Sequence, residues 1–282
     1  MTARGWAGRD EKVAAFRALH QRPGIFVIPN PWDAGSAKIL TALGFEALAT
    51  TSAGYAFSAG LPDQVGVLTR DGMLANAKAI VDATHLPVSA DLQNMFGRTP
   101  RECAETVRLA AGIGLAGGSI EDATDDPAKP IYEFSVAVER VAAAVEAARA
   151  HRFFLTARAE NFLHGRHDLA DTIRRLQAYE KAGADVLFAP WLPSLEAIRE
   201  VCASVGKPVN VVMGIKGASF SVEELAAAGV KRISVGGTFA RAALGAFIRA
   251  AREVKEKGTF TYAADALPHA DANAYMEKGK GG

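Results

Sequence analysis

Three side chains able to do chemistry stand where apolar runs stop. Asp91 ends "LPVSAD", Glu121 ends "LAGGSIE" and Arg158 ends "RFFLTAR". A fourth, Asp63, lies in the long connection "GYAFSAGLPDQVGVLTRDG". Carboxylates brought to one place repel each other unless positive charge sits between them. Asp91, Glu121 and Asp63 offer enough hard oxygen atoms for Mg2+, with Mn2+ as a substitute. That ion keeps several waters and uses only one or two direct carboxylates. The amides of Gln93 and Asn94 in "DLQNMFG" would orient such waters. Arg158 has the planar fork that bonds both oxygens of a substrate carboxylate. In "TTSAG", the hydroxyls and backbone N–H groups from Thr51 and Ser52 to Gly54 would hold a second anionic group. Asn210 in "PVNVVMG" is a further polar residue inside an apolar run.

Competing readings belong beside these. Asp63 in "GLPDQ" also suits a turn. Glu121 and Arg158 also suit a structural ion pair. His164 and His167 in "HGRHD" read as exposed loop residues, and "SVGGTF" resembles a generic phosphate-binding loop. Absences discriminate as well. A Schiff-base aldolase needs a strand-end lysine of lowered pKa. Here Lys207 and Lys231 precede apolar runs, and Lys216 follows one. A zinc site would need imidazoles converging with the acids. A hard, oxygen-ligated cation and a carboxylate-bearing substrate remain.

What must position these residues is legible in the spacing. Eight apolar runs alternate with amphipathic helical stretches, beginning at Ile25, Phe45, Leu86, Gly114, Arg152, Ala184, Pro208 and Arg232. Continuous apolar runs suit strands buried on both faces, as in a parallel sheet. Eight strand–helix units without an obvious linker predict one α/β domain over 1–282, a single (β/α)8 TIM-type barrel. Active sites of such barrels sit at the carboxyl ends of the strands. The connections after the second and fourth runs are long enough to be lids. Asp33 before "AGSAKILTALG" reads as a helix N-cap. The tail from about 265 is polar and expected to fray at its end.

Composition sets outer bounds. A chain that is 49% hydrophobic and 22% charged can bury a large core. Net charge is +1 without a long run of one sign, so no nucleic-acid partner is expected. The opening "MTARGWAGRD" lacks the apolar core of a secretory signal, and no apolar run is long enough for a membrane span. Cys103 and Cys202 read as inert buried thiols, and the expected compartment is the cytoplasm.

The segments "TTSAGYAFSAGLPD", "VSADLQNMFG", "GGSIEDAT", "ARAENFL" and "GADVLFAP" occur together and in order. As a set they resemble the isocitrate lyase/phosphoenolpyruvate mutase superfamily, from Asn30 through "GTFARAALGAF". The resemblance implies making or breaking a C–C or P–C bond next to an α-keto or α-hydroxy carboxylate, through a pyruvate-type enolate held by Mg2+. It implies that Asp63, Asp91 and Glu121 hold the metal directly or through water, and that Arg158 binds the substrate carboxylate. Ser52, Ala53 and Gly54 would hold the pyruvyl unit, and Asn210 would face the pocket. It also implies a last helix exchanged between subunits of a homodimer or homotetramer.

Departures narrow the expectation. The connection "DATDDPAKPIYEF" lacks the cysteine segment of isocitrate and methylisocitrate lyases. Pro190 stands where those lyases carry glutamate and the mutases histidine. Ser89 replaces an acid before Asp91, Gln93 stands for a glutamate, and Met95 for a small residue. The expected function is a Mg2+-dependent lyase acting on a small α-keto or 2-hydroxy (di)carboxylate. Examples are oxaloacetate decarboxylation, with Tyr55 and Tyr132 as conceivable proton donors, or C–C cleavage. Alternatives are phosphonate P–C chemistry, a non-catalytic keto-acid-binding barrel, and a sugar-phosphate enzyme built on "SVGGTF".

Overall fold

A computed structural model describes residues 8–64, 66–215 and 219–278. The first seven residues, Lys216 and the last four residues of the tail lie outside the described residues. The strands are β1 (Phe26–Ile28), β2 (Leu48–Ala49), β3 (Val88–Asp91), β4 (Gly117–Glu121), β5 (Phe154–Arg158), β6 (Val186–Phe188), β7 (Val209–Val212) and β8 (Arg232–Ser234). They form one parallel sheet in the order β1-β8-β7-β6-β5-β4-β3-β2. The Ala49 N–H donates to the Pro29 carbonyl at 3.0 Å, which brings β2 against β1. The result is a nearly closed (β/α)8 barrel, as the alternation of apolar runs and helices requires.

The helices start and stop where their end residues direct. In α2 (Ala34–Ala42), Asp33 is the N-cap and accepts from the Ser36 N–H at 2.7 Å. In α5 (Pro100–Gly112), Thr99 and Glu102 form a reciprocal capping box with Pro100 in the first turn. Opposite the site, α1 (Arg9–Gln21) plugs the amino-terminal end of the barrel. Its Val13, Phe16 and Leu19 pack on Phe26, Ala47, Phe154 and Val186. Above that plug the barrel interior is unusually small-sided. Ala49, Ser89, Ser119 and Thr156 border an open cavity there instead of the bulky branched residues common in such barrels.

One expectation needs correction. The second strand is only Leu48–Ala49, because Thr51 caps a short helix, α3 (Ser52–Ser58), by accepting from the Gly54 N–H. The small residues of "TTSAG" cap and open a helix rather than extend the second apolar run as strand. Near the carboxyl terminus, α11 (His269–Lys278) packs on α2, and Lys38 Nζ donates to the Met276 carbonyl at 2.9 Å. The 20-residue α10 (Thr238–Lys257) buries only Ala240 and leaves Phe239, Leu244, Phe247 and Ile248 exposed.

Candidate active site

β3, β4 and β5 deliver their last residues to one rim. Glu121 is in register with Arg158, and Asp91 is in register with Ser119 one pleat repeat below Glu121. Arg158 Nη1 therefore lies 3.2 Å from Asp91 Oδ1 and 3.3 Å from Glu121 Oε2. Its Nε donates to Glu160 Oε1 at 2.7 Å, and the guanidinium stacks over Phe188, 5.0 Å from the ring centroid. The other Asp91 oxygen, Oδ2, accepts from the Ser52 N–H at 3.1 Å and the Ser52 hydroxyl at 2.8 Å.

One guanidinium thus faces three carboxylates. Burial raises the pKa of Glu121, opposed by Arg158, and burial raises Glu160 as well. Partial enclosure and then the charge of Asp91 raise Asp63. Acids placed this way have an affinity for protons or for a cation. Among the described residues no three acids, histidines or cysteines form a preformed metal nest. The donor chemistry still fits Mg2+, which needs only one or two carboxylates beside its waters.

The rim is anchored from behind. Asp122, the acid next to Glu121, is buried and accepts from the Glu160 N–H at 2.8 Å, Arg175 Nη1 at 3.0 Å and the Tyr179 hydroxyl at 2.7 Å. It fastens β4 and β5 to α7 (Leu169–Ala182). The loop after β3 holds Gln93, Met95 and Phe96 at φ of 48, 64 and 52°. Such left-handed residues cost roughly 1–2 kcal/mol each, so something must hold them. Arg140 of α6 (Phe134–Ala150) donates to the carbonyls of Asn94 and Gly97, and the Thr106 hydroxyl donates to Met95. No sequence signal separates Arg140 from a solvent-facing helix residue.

A cavity of about 300 Å3 opens at this rim. Of the residues singled out in the sequence, Thr51, Ser52, Ala53, Asp63, Asp91, Arg158 and Asn210 line it. Glu121 meets Arg158 without lining the cavity, and Gly54 is packed away under α10. A Cβ at Gly54 would come within 2.6 Å of Thr51 Cγ2 and 2.9 Å of Trp32 Cβ, so glycine is required there. Asn94 turns aside, with its Nδ2 donating to Asp125 Oδ1 at 2.9 Å. The N–H groups of Ser52 and Gly54 are already used, by Asp91 and Thr51.

Asn210 donates from Nδ2 to Ser234 Oγ at 3.1 Å and accepts from Arg232 Nε at 2.8 Å. Asn30 accepts the N–H groups of Val235 and Gly236 at 2.9 Å each. Those are two of the amides that "SVGGTF" would need to cradle a phosphate, so the phosphate-loop reading is weakened. His167 is exposed and His164 half-buried, and neither lines the cavity. Tyr55 and Tyr132 are packed off the cavity wall as well; Arg140 lies 4.2 Å above the Tyr132 ring. Burial pushes both thiols up, Cys202 to about 11, which leaves them inert.

The family model described as phosphoenolpyruvate phosphomutase matches residues 16–255. A 2-methylisocitrate lyase of Escherichia coli K12 is 32% identical over 77% of this chain and 75% of its own. A crystal structure of a candidate lyase/mutase from Burkholderia cenocepacia J2315 is 58% identical, with a TM-score of 0.92 over 95% of this chain and 96% of that one. The structure of 2,3-dimethylmalate lyase is 27% identical, with a TM-score of 0.84 over 98% and 95% of the two chains. With its barrel, its acidic rim and these matches, the chain belongs to the phosphoenolpyruvate mutase/isocitrate lyase superfamily and is an enzyme of that lyase and mutase class.

Proposed function

We propose that the rim cavity is a Mg2+-dependent lyase site for a small α-keto or 2-hydroxy (di)carboxylate, as in oxaloacetate decarboxylation or C–C cleavage. The observation that carries this reading is Arg158 on the cavity wall, 3.2 Å from Asp91 and 3.3 Å from Glu121. Asp91 and Asp63 would hold the ion, with Glu121 acting through water and Mn2+ able to substitute. When bound, the ion supplies charge that draws electrons toward the substrate's carbonyl oxygen.

The chain's own residues do the rest. Arg158 binds the substrate carboxylate, and the acids around it fix its orientation before the substrate arrives. Ser52 holds Asp91 in place through two hydrogen bonds. Phe188, Leu163 and Trp191 make an apolar wall that thins the water at the reacting carbon. The loop after β4 has no cysteine and is tied to itself by the Ala123–Ile131 bridge. The proton for the product carbon would then come from water admitted at the rim or from a residue of the loops that cover it.

The exposed apolar face of α10 supports assembly as a homodimer or homotetramer, with this helix given to a neighbour. No helix among the described residues is long and apolar enough to cross a membrane, and the two unpaired thiols suit a cytoplasmic enzyme.

Oxalate, a planar dianion shaped like the head of a keto acid, is a direct binding probe. Thermal melting should rise with oxalate only when Mg2+ is present, and Arg158→Lys should abolish the rise. A metal-independent rise, or none, contradicts the proposal.

A further inference from the structure

Below the rim the cavity meets a second arginine. Arg232 opens β8, is only 5% exposed and lines the same cavity. Its Nε donates to Asn210 Oδ1 at 2.8 Å, Nη1 to His20 Nε2 at 3.2 Å and Nη2 to Thr156 Oγ1 at 3.0 Å. All three acceptors are neutral. His20 Nδ1–H donates to the Phe16 carbonyl at 2.8 Å, which leaves Nε2 as the acceptor, and burial holds its pKa down to about 3. Among the described residues no carboxylate pairs with Arg232, and burial moves its pKa down to about 9. The contrast with Arg158, ringed by three acids, is complete. A charge taken out of water without an opposite partner is costly, so it persists where something else supplies the partner.

The barrel interior leaves room for that partner. Ala49, Ser89 and Ser119 are small, so the cavity reaches from the rim down to Asn210 and Arg232. Thr156, which touches the Arg232 guanidinium, precedes Arg158 by two residues on β5, roughly 6.6 Å along the strand. Two cations thus face one cavity, anchored at positions one pleat repeat apart on β5.

We infer that Arg232 is a second carboxylate-binding group at the foot of the cavity, and that the ligand is a linear diacid with its two carboxylates roughly 6 Å apart. The inference rests on the reading of this cavity as the substrate site. The near carboxylate sits at Arg158, and the far one completes the charge of Arg232. Asn210 and Thr156 orient the guanidinium for it.

Calorimetric titration of the full chain with Mg2+ present tests this with glutarate and adipate against pentanoate and hexanoate. Wild type should bind the diacids at least about tenfold more tightly than the monoacids. Arg232→Met should erase that preference yet still bind oxalate at the rim, and Arg232→Lys should keep part of it. Equal affinity in wild type, which needs no variant, overturns the inference. So does a preference that survives in Arg232→Met. Oxalate binding without a diacid preference removes this inference alone; wild type that binds no oxalate removes the cavity's reading and this with it.

Discussion

Asp91 Oδ1 and Arg158 Nη1 stand 3.2 Å apart although β4 separates their strands. The contact spans β4 because Arg158 is long and Asp91 ends its strand, so both reach the same rim. Arg158→Lys keeps a charge among the acids but loses the fork that meets Asp91, Glu121 and Glu160 together. It should fold, and kcat/KM should fall about 100-fold or more. Steady-state kinetics beside a melting curve checks both; full activity in the variant would sink the assigned role.

Gly54 tests the packing of α10 behind the pocket wall formed by Thr51, Ser52 and Ala53. Ala at this position forces Thr51, Trp32 and Ala240 apart, with approaches of 2.6, 2.9 and 3.3 Å. Overpacking of this kind costs about 1–3 kcal/mol. Urea unfolding of Gly54→Ala should show that loss, and an unchanged midpoint would mean that α10 moves freely.

His20 gives the stability a pH dependence of known sign. Its folded pKa, about 3, lies below the ordinary 6.5. The stability it contributes is present above pH 6.5 and drains away as pH falls toward 3, since only the unfolded chain takes up the proton. The slope is at most about 1.4 kcal/mol per pH unit. Comparing urea midpoints at neutral and mildly acid pH, His20→Gln should lose less stability than wild type. Equal losses in the two proteins would show that His20 is not the titrating group.

Asp122 holds the rim from outside the cavity. Asp122→Leu leaves Arg175 and the Tyr179 hydroxyl buried without their shared acceptor. The expected loss is about 3–5 kcal/mol, since one member of a buried charge pair is removed. Denaturant titration would reveal it, and a loss under 1 kcal/mol would show that water replaces the carboxylate.

Strand ends were the legible part of this chain. Asp91, Glu121 and Arg158 could be placed because unbroken apolar runs stop at them and a barrel gathers strand ends at one face. The helix at Ser52 was hidden, since Thr-Ser-Ala-Gly has no apolar period and only the N-cap bond of Thr51 declares it. Asp122 looked equal to its neighbour Glu121 in the sequence. One residue along a strand turns a side chain to the opposite face, and this one points to α7 rather than the rim. Arg232 read as the start of an ordinary strand. Its importance depends on the small residues of four other strands, which no local pattern conveys.

The most direct test of the central claim is pyruvate release from oxaloacetate, corrected for spontaneous metal-promoted decay, with Mg2+ or with EDTA. Phosphonopyruvate and methylisocitrate would run alongside. Enzyme-dependent turnover of a keto or hydroxy acid is expected, which EDTA stops and Arg158→Lys largely loses. Turnover indifferent to EDTA and to Arg158, or none with any of these acids, would contradict it.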